Sequence, residues 1–261
     1  MSRFTPHPEL RPAVVTGASS GIGRATAIAI AELGHPVVLG ARRVSACEDT
    51  AAEIRANGGD AFAIHLDLAD GDSIKRFAAA ATDTLGNVEI VVSSAAENRP
   101  GSVLDTDADA FERVLGVNVA GTHRLILALL PEMTERGRGD VVFVTSDVAV
   151  SPRPSMAAYV TSKWGLEGYA RSLQMELEGT GVRATIVRPG PTLTGMGMDW
   201  DPEVTAEVID QWVAWGFGRH SNLMRPQGVA QAIVAAVTLP RGTHATTIEL
   251  QPEAPVREIE P

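Results

Sequence analysis

Seven short, strand-like runs recur along the chain, at 13–16, 36–39, 61–66, 88–92, 140–145, 182–187 and 246–250, most of them largely apolar. Between them lie segments of helical period, at 22–33, 45–56, 72–85, 109–133, 155–177 and 226–237. In a run such as Val141-Val142-Phe143-Val144, consecutive side chains are apolar, so both faces of the strand must be covered. Strand, helix, strand repeated along the whole length predicts an α/β protein built on a doubly wound parallel sheet of about seven strands, with helices on both faces. A chain of 261 residues, 44% hydrophobic, can bury a large core yet is close to the length at which cores divide. With no low-complexity linker and no short repeat, residues 1–261 are expected to form a single domain.

The first apolar run leads into Thr16-Gly17-Ala18-Ser19-Ser20-Gly21-Ile22-Gly23. Where a first strand passes into its helix, Gly17 can make the tight turn, Gly21 can let backbone approach a pyrophosphate, and Gly23 can let helix pack closely on strand. The helix N-terminus adds free N–H groups and a partial positive charge. A glycine-rich turn alone is also ordinary loop chemistry. At this place, it predicts a dinucleotide-binding Rossmann fold, with Ser19, Ser20 and Ile22 in the binding turn.

The end of the second strand addresses the choice of dinucleotide. NAD sites usually carry a carboxylate about 20 residues past the glycines, whereas this chain reads Gly40-Ala41-Arg42-Arg43. Two guanidinium groups suit a 2'-phosphate. NADP(H) is expected over NAD(H), although a solvated helix start would also explain Arg42 and Arg43.

Chemistry must lie elsewhere. Tyr159 and Lys163 stand at i and i+4, on one face of a helix. A phenol titrates near 10 and needs help to act near neutrality. A cation about 4 Å away, worth roughly 4 kcal/mol at an effective dielectric near 20, can lower it by two to three units. Ser146 follows the apolar run 140–145, at the strand end where ligands sit in such sheets, and its hydroxyl can bond a reacting oxygen. Asn118, between two helical stretches, can hold a water or a backbone group.

TGASSGIG, Asn118 in VNVAGT, Ser146 thirteen residues before Tyr159, and YVTSK together resemble the short-chain dehydrogenase/reductase family, in order over nearly the whole chain. The resemblance implies that Tyr159 exchanges a proton with the substrate oxygen. It implies that Lys163 lowers the phenol's pKa and holds the nicotinamide ribose, that Ser146 polarises the substrate oxygen, and that Asn118 fixes a water in a proton relay. Asp67 in HLDLAD, with Leu68 beside it, matches the adenine contact; Thr194 in PGPTLT matches the nicotinamide-amide contact, with Pro189 and Gly190 in the same turn. The family usually shows Asn-Asn-Ala-Gly after the fourth strand, but here Ser93-Ser94-Ala95-Ala96 stands. Ser94 and Ala95 are still expected beside the cofactor, while the methyl of Ala96 falls where backbone should lie near the ribose. The ending Thr246 to Pro252 lacks the Gly-Gly common in carrier-protein reductases and is more similar to the NADP-dependent hydroxy-acid and general alcohol branch.

The expected protein is therefore an NADP(H)-dependent enzyme interconverting a secondary alcohol and a ketone or aldehyde, with a small-molecule, apolar substrate. The resemblance implies a homo-oligomer, tetramer or dimer. One alternative is a 3-oxoacyl-carrier-protein reductase, whose acidic partner would meet a net charge of -10 and no basic residue in Glu178-Gly179-Thr180-Gly181. Another is a non-catalytic NADP(H)-binding sensor, which has no need of Asn118, Ser146, Tyr159 and Lys163 together. The same acidic balance disfavours nucleic acid. No signal-like start and no apolar run near 18 residues suggests a membrane partner. The lone Cys47 excludes an internal disulfide, so a cytoplasmic setting is expected.

Other features read more plainly. Asp105-Thr106-Asp107-Ala108-Asp109 opens like a calcium loop but has Ala110 and Gly116 where glycine and glutamate belong, so helix capping explains it. Arg138-Gly139-Asp140 sits in a turn before a strand. The six histidines lack metal-site spacing, and no metal is expected. The segment 194–223 contains Asp201-Pro202, a helix start, followed by Val204, Val208, Trp212 and Trp215 at helical spacing. It is expected to be either a packed amphipathic helix or a lid over the substrate, lined by Met196, Met198 and Trp200.

Overall fold

The computed structural model describes residues 4, 6–197, 200–216, 220 and 222–255. Its strands are β1 (Ala13–Thr16), β2 (Val37–Ala41), β3 (Ala61–His65), β4 (Ile90–Ser93), β5 (Gly139–Val144), β6 (Val182–Pro189) and β7 (Thr247–Leu250). They form one sheet in the order β3-β2-β1-β4-β5-β6-β7, parallel throughout, with Val14 level with Val38 on one side and Val91 on the other. The helices are α1 (Gly21–Glu32), α2 (Val44–Ala56), α3 (Gly71–Leu85), α4 (Ala108–Leu115), α5 (Thr122–Glu135), α6 (Ala157–Glu176), α7 (Pro202–Ala214) and α8 (Pro226–Thr238).

The alternating side chains of the strands feed two separate cores. Val15, Leu39, Val92 and Val142 meet Ile30 of α1, Ile54 of α2 and Ile233 of α8. Val14, Val91, Phe143 and Ile186 meet Phe77 of α3, Leu125 and Leu129 of α5, and Leu173 of α6. Each central strand is thus buried on both faces, as its unbroken apolar run requires.

The helix expected over 109–133 differs from that expectation. α4 and α5 flank a single π-helical stretch, Gly116–Gly121, that contains Asn118. A Cβ on Gly121 would stand 2.3 Å from the carbonyl oxygen of Leu68, so only glycine lets the loop after β3 lie against this turn. The composite helix Ala108–Glu135 is long and apolar enough by length and composition to cross a membrane. Its apolar residues Leu125, Ile126, Leu129 and Met133 are those buried under the sheet. α6 begins at Ala157, two residues later than expected, because Ser155 has φ 58° and cannot continue a right-handed helix.

The acidic run and the Arg-Gly-Asp tripeptide have structural explanations. Asp107 caps α4, its Oδ1 accepting from Ala110 N at 3.0 Å. Asp140 is buried and pairs with Arg11 and with Arg183, the latter at 2.7 Å.

Candidate active site

Every residue singled out for cofactor or catalysis lies at or beside the carboxyl edge of the sheet, except those that α6 and the π turn bring to the same edge. Gly17 to Gly23 follow β1, Arg42 and Arg43 follow β2, Asp67 and Leu68 follow β3, and Ser94 and Ala95 follow β4. Ser146 follows β5; Pro189 ends β6, with Gly190 and Thr194 just beyond.

The glycine turn is determined by space as much as by conformation. Gly17 has φ 68°, and a Cβ there would stand 2.8 Å from the Cα of Ala95. A Cβ on Gly23 would stand 2.5 Å from the carbonyl oxygen of Gly17, so the first helical turn presses against the loop. Gly21 has φ 55° and faces Thr194, whose Cβ is 3.1 Å from the Cβ position. Ser20, the N-cap of α1, makes no side-chain cap bond. Arg43 Nη2 donates to both Ser19 Oγ and Ser20 Oγ at 3.3 Å, while exposed Arg42 lines a groove with Asn98, Arg99 and Trp200. An uncapped helix start, a glycine cradle and two exposed guanidinium groups fit a dinucleotide pyrophosphate and its adenosine end. Ile22 packs behind the turn into the core, and Asp67 Oδ1 accepts from Ala69 N at 2.9 Å. Gly190 N donates to Leu250 O at 2.8 Å.

Thr16, which the sequence did not single out, fixes the opposite wall. Its Oγ1 accepts from Ser94 N and Ala95 N, both at 3.1 Å. Ala96 packs against the apolar cluster of Val148, Met156 and Tyr159.

On α6, Tyr159 and Lys163 are 7% and 2% exposed. Lys163 Nζ lies 5.5 Å from the centre of the Tyr159 ring and donates to Val144 O at 2.9 Å. Across that gap the burial of the phenol, not the ammonium, is the largest influence on its pKa. Burial pushes Tyr159 up to about 12, against a hydrogen bond from Ser146 that lowers it; the Asp147 charge adds to the rise and Arg153 opposes it. Burial likewise pushes Lys163 down to about 8, with Glu167 opposing. In this state desolvation outweighs the charges around each group.

Asn118 does more than the sequence suggested. Glu97 N donates to its Oδ1 at 2.7 Å, and its Nδ2 donates to Glu97 O at 2.8 Å and to Ser162 Oγ at 2.9 Å. Both side-chain donors are therefore engaged, and the residue clamps the chain after β4 to α6. Ser162 in turn donates to Tyr159 O at 2.8 Å.

Ser146 Oγ accepts from Val148 N at 3.4 Å and donates to Asp147 Oδ1 at 3.2 Å. Asp147 is 5% exposed. Burial lifts its pKa, and the ion pair with Arg153 opposes that rise. One turn beyond Lys163, Glu167 accepts from Arg188 Nε at 2.8 Å and from Thr145 Oγ1 at 2.9 Å, while Arg188 Nη1 reaches Glu249 Oε2 at 2.6 Å. Burial works against the Glu167 carboxylate, but Arg188 and Thr145 outweigh it and hold it below the usual range. A glutamate at i+4 from a catalytic-looking lysine was a visible signal for this network; its β6 and β7 partners had none.

α7 packs against the cluster around Tyr159 through Trp212. Asp201 caps it, accepting from Glu203 N at 2.8 Å. Of the four residues at helical spacing, Val208 is buried and Trp212 half-buried, while Val204 and Trp215 are exposed. Met196 and Trp200 lie at its approach; Met198, and residues 199, 217–219 and 221 of the expected lid, lie outside the described residues.

The family model described as short chain dehydrogenase matches residues 11–205. The chain is 35% identical to a glycine betaine reductase of Emericella nidulans over 241 residues, 92% of this chain but 18% of that protein. It is 30% identical over 235 residues to a 3-oxoacyl-[acyl-carrier-protein] reductase of Synechocystis sp., covering 90% of this chain and 92% of the relative. Among solved structures, an alcohol dehydrogenase from the archaeon Thermococcus sibiricus complexed with 5-hydroxy-NADP aligns with a TM-score of 0.81 at 28% identity, over 95% of this chain and 100% of that one.

Proposed function

The chain belongs to the short-chain dehydrogenase family, and from that premise we propose that it is an NADP(H)-dependent oxidoreductase interconverting a secondary alcohol and a ketone on an apolar small molecule. The observation that carries this reading is the place of Tyr159, packed against Val148 two residues beyond Ser146 and 5.5 Å from Lys163 Nζ, at the sheet edge that the glycine turn shares. The nicotinamide supplies or takes the hydride. The rest belongs to this chain's own residues.

Gly17 to Gly23 seat the pyrophosphate against the α1 N-terminus, Arg42 and Arg43 meet the 2'-phosphate, Asp67 and Leu68 flank the adenine, and Ser94, Ala95, Pro189, Gly190 and Thr194 border the nicotinamide end. Ser146 donates a hydrogen bond to the substrate oxygen. Tyr159 gives its proton to that oxygen in reduction and takes it back in oxidation. Protonated Lys163 stabilises the phenolate left behind. Asn118 holds the chain after β4 in register with Tyr159, and the proton passes to water along that side. NADP(H) is supported over NAD(H) by the two exposed arginines after β2 and the lack of a carboxylate there.

The Synechocystis relative favours a second reading, reduction of a 3-oxoacyl thioester carried on a protein. Initial rates with NADPH and NADH across apolar ketones, aldehydes, hydroxy acids and a 3-oxoacyl thioester decide between the two. Turnover of ketones with NADPH is expected; a thioester turned over alone reverses the order, and no turnover of any carbonyl returns the chain to the sensor class. A homo-oligomer in a cytoplasmic setting belongs to the same proposal, and sedimentation velocity checks the assembly.

A further inference from the structure

Among the described residues, those packed on the Tyr159 ring are apolar, and an ion pair borders them. Val148, Met156, Ala96, Val160 and Trp212 gather around the Tyr159 ring. Into this wall the chain places Asp147 and Arg153, whose side chains are 7% and 12% exposed. Arg153 Nη2 donates to Asp147 Oδ2, and the guanidinium carbon lies 5.3 Å from the centre of the Trp212 ring. Trp212 Nε1 donates to Pro154 O at 3.2 Å, and Ser155 Oγ donates to Gln211 Oε1 at 3.0 Å. The pair is thus sandwiched between the catalytic serine and the covering helix α7.

An arginine fork facing an apolar reaction site is suited to a substrate carboxylate, because the planar guanidinium binds two oxygens at once. Here a carboxylate of the chain itself already meets that guanidinium. A substrate carboxylate brought to Arg153 must displace Asp147 or lie beside it, and a second anion in a dehydrated wall is strongly disfavoured.

The geometry points to Asp147 and Arg153 as specificity-determining residues: Asp147 neutralises the Arg153 guanidinium in the substrate wall, so the site takes uncharged carbonyl compounds and turns away those bearing a carboxylate near the carbonyl. This deepens the reading of Ser146 and Tyr159 as the reacting pair and rests on it only for where the substrate sits.

Binding to the NADP⁺-loaded protein, followed by tryptophan fluorescence, separates the two. The probes are octanamide and octanoate, equal in length and unlike in charge. The unaltered protein should prefer octanamide by about tenfold or more. Asp147→Asn, which frees Arg153, should reverse the preference through a gain in octanoate affinity, and Asp147→Asn with Arg153→Met should bring back the preference for octanamide. Arg153→Gln, which leaves the anion alone, should weaken octanoate further and admit octylamine, and it serves if Asp147→Asn fails to fold. Equal binding of the two probes to the unaltered protein overturns the inference, as does a preference unmoved in both single variants. Absence of carbonyl turnover with the charge preference intact removes the proposed activity and leaves this inference standing; turnover without the preference does the reverse.

Discussion

The turn after β1 and the helix α7 border the same site and are built in opposite ways. In the turn, Gly17 and Gly23 admit no added methyl group without backbone collision, and Thr16 ties the loop to the end of β4. In α7, one residue is fully buried, and Val213 and Trp215 stand largely in solvent. α7 is held chiefly by the contacts of Trp212 and Gln211 with 153–155. The difference teaches how one chain separates two tasks. Cofactor placement and proton transfer sit on a jammed sheet edge, where a small displacement costs much rate. On the proposed function, substrate choice would be left to a segment with little buried surface, as covers of active sites generally are.

The largest effect should come from the jammed side. Tyr159→Phe removes the proton site and keeps the ring, so kcat should fall by about a thousandfold, roughly 4 kcal/mol, with NADPH binding unchanged in a fluorescence titration. Activity within tenfold of the unaltered protein would end the assignment. Gly17→Ala forces both a left-handed φ and contact with Ala95, and urea unfolding should show a loss of about 2 to 4 kcal/mol. A loss below 1 kcal/mol would mean that the turn is not jammed.

Arg42→Ala with Arg43→Ala should raise the KM for NADPH about ten- to a hundredfold and leave that for NADH nearly alone, since charge-assisted hydrogen bonds contribute about 1.5 to 3 kcal/mol. An unchanged ratio of the two KM values rejects the 2'-phosphate reading. The pH profile should expose Lys163. With its folded pKa lowered to about 8, the protonated form that supports the phenolate is lost above that pH, so kcat/KM for carbonyl reduction should fall as pH rises through about 8. Stability carries the opposite sign: between about 8 and the ordinary lysine value of 10.5 the unfolded chain binds the extra proton, so this group's contribution to stability increases with pH. A Lys163→Met variant should lack both trends.

The smallest effects should come from the cover. Trp212→Ala should cost at most about 1 kcal/mol of stability, the scale of one exposed cation–π contact. It should lower kcat/KM for apolar ketones by about tenfold and leave the pH profile where it was. Loss of several kcal/mol of stability would show that α7 is as firmly built as the turn, and the comparison would collapse.

Much of this was legible in the sequence. The parallel sheet follows from its apolar runs, and the cofactor edge from TGASSGIG and the paired arginines. Tyr159 and Lys163 could be placed on one face of a helix because i and i+4 are neighbours on any α-helix. Ser146 could be placed because a strand end lies at the sheet edge whatever surrounds it. These features depend on residues close in the chain.

The tertiary structure alone decided the rest. The break at Asn118 depends on the backbone of Glu97, 21 positions away. Glu167 depends on Arg188 and Glu249, brought alongside by two later strands. Trp212 reaches Arg153 from the far side of β6. The pKa directions of Tyr159 and Lys163 could not be read from their spacing for the same reason. Desolvation is set by every atom packed around a group, and which atoms those are is fixed by the folding of distant segments, not by the spacing of two residues on a helix.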